Sequence, residues 1–334
     1  MFTVYPLPRM EYRSLRDLRE ARKVALFTSA PAWDALGGSL DLPVLWRAEP
    51  VDATEELFLA YARELPDETE VIYAVGGGLP FDAAKFVASR RQLPLVGVPS
   101  ALSTDAPWTP VSGVRRDGCV FYLHTGAPEK LYIDWEIISA APPHVRATGF
   151  AEMAAIAIGL WDWRLAEERG LNPQVQRYVS YAAGVMGTMM QESLSIAARV
   201  GKGEIEALTQ LLEMLALQVQ LCSGLGHSRS QEWSEHYYAY SVENLTGNGL
   251  PHADLIGPGI VGMAAAQGQD PGPLREALRA VGVRLDRVSA ENSITTLKGF
   301  SAYSKRHGLA YGIAHEFTSA HIQAFMNAVY IETP

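Results

Sequence analysis

Glu152, His236 and His252 have the side chains a divalent metal needs, and each stands on its own helical segment. Glu152 opens the first helix of the second half, in Arg146-Ala147-Thr148-Gly149-Phe150-Ala151-Glu152. His236 follows Ser234-Glu235 at the start of a helix running to about Leu245, and His252 follows the break Thr246–Pro251 and begins the next helical segment. Two imidazoles and a carboxylate make a three-ligand set for zinc or iron, with positions left open for substrate and water. In a chain with eight histidines, the other reading is a capping or core His236 and a loop His252. Of the remaining histidines, His227 reads as exposed in a flexible loop, and His124 and His144 as surface residues. His315 and His321 are expected on the last helix, six apart and so not on one face. There is neither an HExxH nor a GxSxG motif, which disfavours both standard hydrolase types.

A second kind of chemistry is written at Gly76-Gly77-Gly78. An apolar run, Glu70 to Val75, precedes the glycines, and good helix formers follow from Asp82 to Lys85. The first N–H groups of a helix lack internal partners and its dipole favours an anion, so a strand, a glycine turn and a helix start can cradle a diphosphate. Glycines remove the Cβ atoms that would hold such a ligand away. Without a ligand the stretch is a tight strand-to-helix turn, for which one glycine is normally enough. The loop Pro99-Ser100-Ala101-Leu102-Ser103-Thr104-Asp105 leaves another strand end and should face the glycines. Its hydroxyls suit ribose and phosphate oxygens, and the Asp105 carboxylate suits the hydroxyls of a sugar or polyol. The plain alternative is a polar loop of Asx and Ser turns.

These residues need two kinds of scaffold. From Val24 to about Pro143, short apolar strands (Val24–Phe27, Pro43–Trp46, Glu70–Val75, Pro94–Pro99) alternate with helices at Ala53–Leu65 and Asp82–Arg91. That alternation predicts a parallel sheet covered on both faces, with ligands beyond the carboxyl ends of the strands. After Pro142-Pro143 helical spacing takes over, at Ala151–Arg169, Pro173–Val200, Gly203–Cys222, Glu232–Leu245, Ile256–Gln267, Pro273–Val281 and Ile313–Val329. The reading is an α/β Rossmann-like domain over residues 1–145 and an all-α domain over 146–334.

The 334 residues carry a net charge of −9 and no block of Lys and Arg, which argues against nucleic acid and anionic membrane surfaces as partners. Cys119 and Cys222 are far apart and read as ordinary buried thiols of a reducing compartment. Residues 1–13 lack an apolar signal core, and the apolar stretch Met153–Trp161 is too short to span a bilayer. A soluble, cytoplasmic protein without membrane insertion is expected.

Taken together, the segments resemble the iron-containing alcohol dehydrogenase and dehydroquinate synthase-like superfamily, nearest its glycerol-1-phosphate and glycerol dehydrogenase branch. Carrying the resemblance are Gly76-Gly77-Gly78 with Asp82 and Lys85, Pro99 through Pro107, Gly149-Phe150-Ala151-Glu152, Asp162-Trp163-Arg164-Leu165-Ala166, Ser234-Glu235-His236, and His252 ahead of Gly257 and Gly259. It implies NAD or NADP bound at Gly76, Gly77, Gly78 and Asp82, with Ser100, Ser103, Thr109 and Val111 along the same wall. It implies a divalent metal, zinc ahead of nickel or iron, on Glu152, His236 and His252, and Asp105 holding a substrate hydroxyl. The implied reaction is hydride transfer between nicotinamide and a small polyol or polyol phosphate, in a homo-oligomer.

Three departures bear on that reading. Glu152 stands where dehydrogenases of this branch usually have Asp, and Glu there resembles the dehydroquinate synthase branch. A sugar phosphate cyclase using NAD transiently is therefore the alternative enzyme, although Ala155 replaces that branch's lysine and its Gly-Gly-Lys motif is absent. Tyr240 stands where many iron-type enzymes carry a second histidine, four residues after the ligand. The first strand ends Phe27-Thr28-Ser29, without the Asp that often grips an adenosine ribose, which leaves NAD against NADP open. A third class, a non-catalytic nucleotide-binding relative, is disfavoured because all three potential ligands are retained. Lys298, Lys305, Arg306 and His307 form the late cationic group and read as a solvated helix end.

Overall fold

A computed structural model describes residues 6–36, 38–247 and 249–331. Met1–Tyr5, Gly37, Asn248 and 332–334 lie outside the described residues, and with them part of the N-terminal segment and one residue of the break before His252. The described chain divides into two compact units at Pro142/Pro143.

The first unit runs β1 (Arg9–Tyr12), β2 (Val24–Thr28), α1 (Ala30–Ala35), β3 (Val44–Ala48), α2 (Glu55–Glu64), β4 (Val71–Gly76), α3 (Gly78–Arg91), β5 (Leu95–Pro99), β6 (Val111–Arg116), β7 (Cys119–His124), β8 (Lys130–Ile133) and α4 (Trp135–Ala140). Six strands form one parallel sheet in the order β1-β8-β5-β4-β2-β3. Central β2, β4 and β5 are buried along their whole length, as strands covered on both faces must be. Val24, Leu26, Val71, Tyr73, Val75 and Val96 belong to the apolar cluster on one face. β6 and β7 form a separate antiparallel hairpin.

Periodicity found the central strands but not β1, β8 or the hairpin. Those are short or mixed in polarity, and only their partners make them strands. α3 starts at Gly78, four residues before the start expected at Asp82. Glycine is a poor helix interior residue but an acceptable cap, and Pro80 fits the first turn, where its missing N–H costs nothing.

The second unit is helical: α5 (Pro143–Glu168), α6 (Ser180–Lys202), α7 (Ile205–Leu225), α8 (Ser234–Thr246), α9 (His252–Ala266), α10 (Gly272–Val281), α11 (Ala290–Arg306) and α12 (Ser319–Tyr330). α5 begins at Pro143 rather than Ala151, because a proline in the first turn starts a helix instead of breaking it. Glu152 consequently lies inside α5 and does not open it. The expected last helix is two elements, since Thr318 caps a new start: His315 lies in a 3-10 turn, Ile313–Glu316, and His321 in α12. The exposed Lys298, Lys305 and Arg306 lie on α11, which periodicity did not pick out. No helix among the described residues is long and apolar enough to cross a membrane.

α9 packs so closely on α12 that a Cβ on Gly262 would come within 2.1 Å of the Phe325 ring. Phe325 is fully buried and cannot swing away. Gly262→Ala is therefore expected to destabilise the helical unit by about 3 kcal/mol, at the upper end of overpacking costs. A thermal melt checks this; an unchanged midpoint would mean α12 shifts freely.

Candidate functional site

β2 and β4 are neighbours, β3 lies outside β2, and β5 lies beyond β4. The connections therefore leave in opposite directions at β2 and β4, and such switch points are where open parallel sheets bind ligands. Gly76 ends β4 at that point with φ +143°, a conformation L side chains rarely adopt. Gly77 caps α3 without a side-chain bond. The Ser100–Asp105 loop does face this turn. The Ser100 N–H donates to the Gly76 carbonyl at 3.1 Å. A Cβ on Gly77 would lie 2.8 Å from Ser103 Oγ, and one on Gly78 would lie 3.2 Å from Thr104.

Asp82, Thr109 and Val111 have internal partners. Lys85, fully buried, pairs with Asp82 at 3.1 Å. It also donates to the Thr109 carbonyl at 3.5 Å and to the Val111 carbonyl. Burial raises the Asp82 carboxyl and the neighbouring ammonium only partly offsets it. Lys85 thus pins the start of the hairpin to α3, a role its sequence position did not reveal. Asp105 is half-buried, and its carbonyl accepts the Trp108 and Thr109 N–H groups at 2.9 and 3.1 Å.

In the helical unit the structure brings Glu152, His236 and His252 together. One ligand atom from each lies within 4.8 Å of the others. His236 Nε2 is 3.4 Å from Glu152 Oε2, and His252 Nε2 is 3.1 Å from Oε1. These separations suit donors that share an ion about 2 Å from each. Burial alone would raise the Glu152 carboxyl, yet hydrogen bonds to the two imidazoles hold it below the usual carboxylate range. Burial likewise pushes His236 down, and Glu152 and Glu235 on its two ring nitrogens draw it well above the ordinary imidazole value. The pocket attracts positive charge, which is what a cation site requires.

Glu235 enters the sequence reading only as part of Ser234-Glu235-His236, without a role of its own. It is fully buried, and its Oε1 meets His236 Nδ1 at 2.8 Å and accepts the Trp233 N–H at 3.0 Å. A carboxylate in that position fixes the ring's orientation and tautomer, leaving Nε2 to face Glu152. Tyr240, one turn after His236, has its ring centroid 6.0 Å from the imidazole, and its hydroxyl donates to Glu232.

Asp162 was noticed only as part of a resemblance, and the signal was available: it is a lone carboxylate in the apolar run Ile156–Trp163. It is fully buried, and burial pushes its carboxyl up to about 7 against the pull of Ser234 and Ile313 donors. His227, expected to be exposed, instead packs edge-on against Trp163, with centroids 5.3 Å apart. Cys222 is partly exposed rather than buried, and neither cysteine is in a disulfide.

A family profile described as iron-containing alcohol dehydrogenase matches residues 13–142. The chain is 30% identical over 233 residues to a glycerol-1-phosphate dehydrogenase [NAD(P)+] of Aeropyrum pernix, covering 69% of this chain and 65% of that protein. It is 28% identical to the protein of the same name from Methanothrix thermoacetophila, covering 80% and 76%. The fold is similar to a probable glycerol dehydrogenase from Sinorhizobium meliloti, with TM-score 0.71, 18% identity, and 97% and 96% of the two chains covered. Glycerol dehydrogenase from Schizosaccharomyces pombe is also similar, at TM-score 0.69 and 17% identity over 98% and 90%. Over residues 13–142 the chain is thus similar to the iron-containing alcohol dehydrogenases, it spans about two thirds of the length of the Aeropyrum pernix relative, and its fold is similar to that of the glycerol dehydrogenases.

Proposed function

We propose that the protein is a metal-dependent, NAD(P)-linked oxidoreductase that interconverts a small polyol phosphate of the glycerol-1-phosphate class and its ketone. The observation that carries this is the Glu152–His236–His252 cluster, with Glu152 and His236 buried and His252 partly exposed, in a chain whose relatives are named glycerol-1-phosphate dehydrogenases. The names of those relatives lend no support to a cyclase.

The residues fit the groups such a reaction needs. The α3 N-terminus offers N–H groups to a diphosphate, and the bare Gly77 and Gly78 let it approach. Ser100 and Ser103 supply hydroxyls beside that turn, and Asp105 is the acceptor for a substrate hydroxyl. The neutral end of β2, Thr28-Ser29, neither grips the ribose of NAD nor repels the extra phosphate of NADP, so both are expected to serve. Glu152 brings negative charge to the ligand set, and Glu235 keeps His236 facing it. When bound, a divalent cation, zinc ahead of nickel or iron, supplies the Lewis acid that lowers the pKa of the alcohol hydroxyl.

Absorbance at 340 nm tests the reading, with glycerol-1-phosphate, glycerol or dihydroxyacetone phosphate and each nicotinamide in turn. Steady, multiple-turnover conversion of cofactor with the phosphorylated pair is expected, and a lesser rate with glycerol. A flat trace from protein that binds NAD tightly would overturn the dehydrogenase reading.

A further inference from the structure

α5, α8 and α9 each contribute one member of the Glu152–His236–His252 cluster, and the same three helices meet a second time at Asp162. This residue lies ten positions beyond Glu152, about 15 Å along α5. Its Oδ2 accepts the Ser234 hydroxyl at 2.5 Å and the Ser234 N–H at 3.3 Å, in the first turn of α8 and two residues before His236. Its Oδ1 accepts the Gln267 amide at 3.2 Å, from the residue that closes α9. The Ile313 N–H of the 3-10 turn adds a fourth bond at 2.8 Å. Ser234 Oγ in turn accepts the Ala314 N–H at 3.2 Å. The surroundings are tight, since a Cβ on Gly312 would come within 2.7 Å of the carboxyl.

A carboxylate is an expensive thing to bury, and an apolar side chain in this stretch of α5 would pack at no such cost. What the carboxylate does, and an apolar residue cannot, is take donors from two other helices at once. The carboxyl also lies at the N-terminus of α8, where the helix dipole favours its ionised form.

We propose that Asp162 is a positioning residue for the metal centre: it locks α8 and α9 onto α5, and so holds Glu152, His236 and His252 at ligating distance. It touches none of the three. It acts through the rigidity of the helices, one step further out than a partner that bonds a ligand directly. The proposal rests on the metal reading above.

Zn²⁺ and Co²⁺ affinities, measured by competition with a chromophoric chelator, test it on the full chain. The proteins compared are the wild type, Asp162→Asn, Asp162→Ala and Ser234→Ala. Asparagine keeps the shape of the side chain but exchanges one acceptor oxygen for a donor facing N–H or O–H groups. Both Asp162 variants are expected to lose about 10–100-fold in affinity, as much as the loss of a group bonded directly to a ligand costs. The visible spectrum of bound Co²⁺ should change with them, which a loss of fold stability alone would not produce. Ser234→Ala removes only one of the four bonds and should fold in any case; a smaller loss with the same spectral change is expected. Melting curves of the chelator-treated proteins identify the variants that fold. Wild-type affinity and an unaltered Co²⁺ spectrum in the folded variants would overturn the proposal. A wild type that binds neither cation would instead overturn the metal reading on which it stands.

Discussion

Alanine at His236 is expected to strip the cation from the helical unit and to lower turnover by about 10³-fold or more. Glu152 would keep a single imidazole partner, His252, which is partly exposed, while His236 is buried and held from behind by Glu235. Lewis-acid catalysis is worth several kcal/mol, and each 1.36 kcal/mol is a factor of ten in rate. The helix itself should survive. Trp233, Tyr238 and Val242 are fully buried around α8 and do not depend on a ligand for their packing. Elemental analysis of dialysed wild type and His236→Ala, with circular dichroism alongside, checks both halves of the expectation. Equal metal in the two proteins would end the ligand assignment.

Valine at Gly77 should damage the other half of the chemistry. A Cβ there would press on Ser103 Oγ at 2.8 Å, and two further methyls would cover the start of α3. Hydrogen bonds to charged groups are worth about 1.5–3 kcal/mol each, so blocking one or two N–H contacts to a diphosphate predicts about 10–100-fold weaker NADH binding. Metal content should not change, because Gly77 and the ligand cluster belong to different units. Fluorescence titration with NADH gives the answer. Undiminished affinity would remove the glycine turn as the diphosphate site.

Much of the fold was legible because it is local. The buried central strands are continuous apolar runs, and the amphipathic helices carry their 3.6-residue period openly. Errors gathered where a proline or glycine has two meanings. Pro143, after which helical spacing takes over, is itself in the first turn of α5, and Gly78, expected in the turn before the helix, begins α3. β1, β8 and the β6–β7 hairpin carry too little periodicity to announce themselves and exist because a neighbour pairs with them. The split of the last helical stretch follows from Thr318 capping α12, and the 3-10 turn before it is held by Asp162.

The types of chemistry were also local. A glycine triplet between strand and helix and a hydroxyl-rich loop after the next strand can be read from composition and order alone. So can a Glu and two His at separate helical segments, since each needs only its neighbours to be recognised. Which of these residues meet is another matter. Glu152, His236 and His252 are far apart in the chain, and only the packing of α5, α8 and α9 brings their donor atoms within 4.8 Å. The partners of Glu235, Lys85 and Asp162 are equally invisible in sequence: the apolar run around Asp162 marks it as buried, but a buried polar side chain is defined by the donors and acceptors that surround it. Periodicity reports which face of a helix is buried; it does not report where that helix meets another, and here those meeting points bring Glu152, His236 and His252 together.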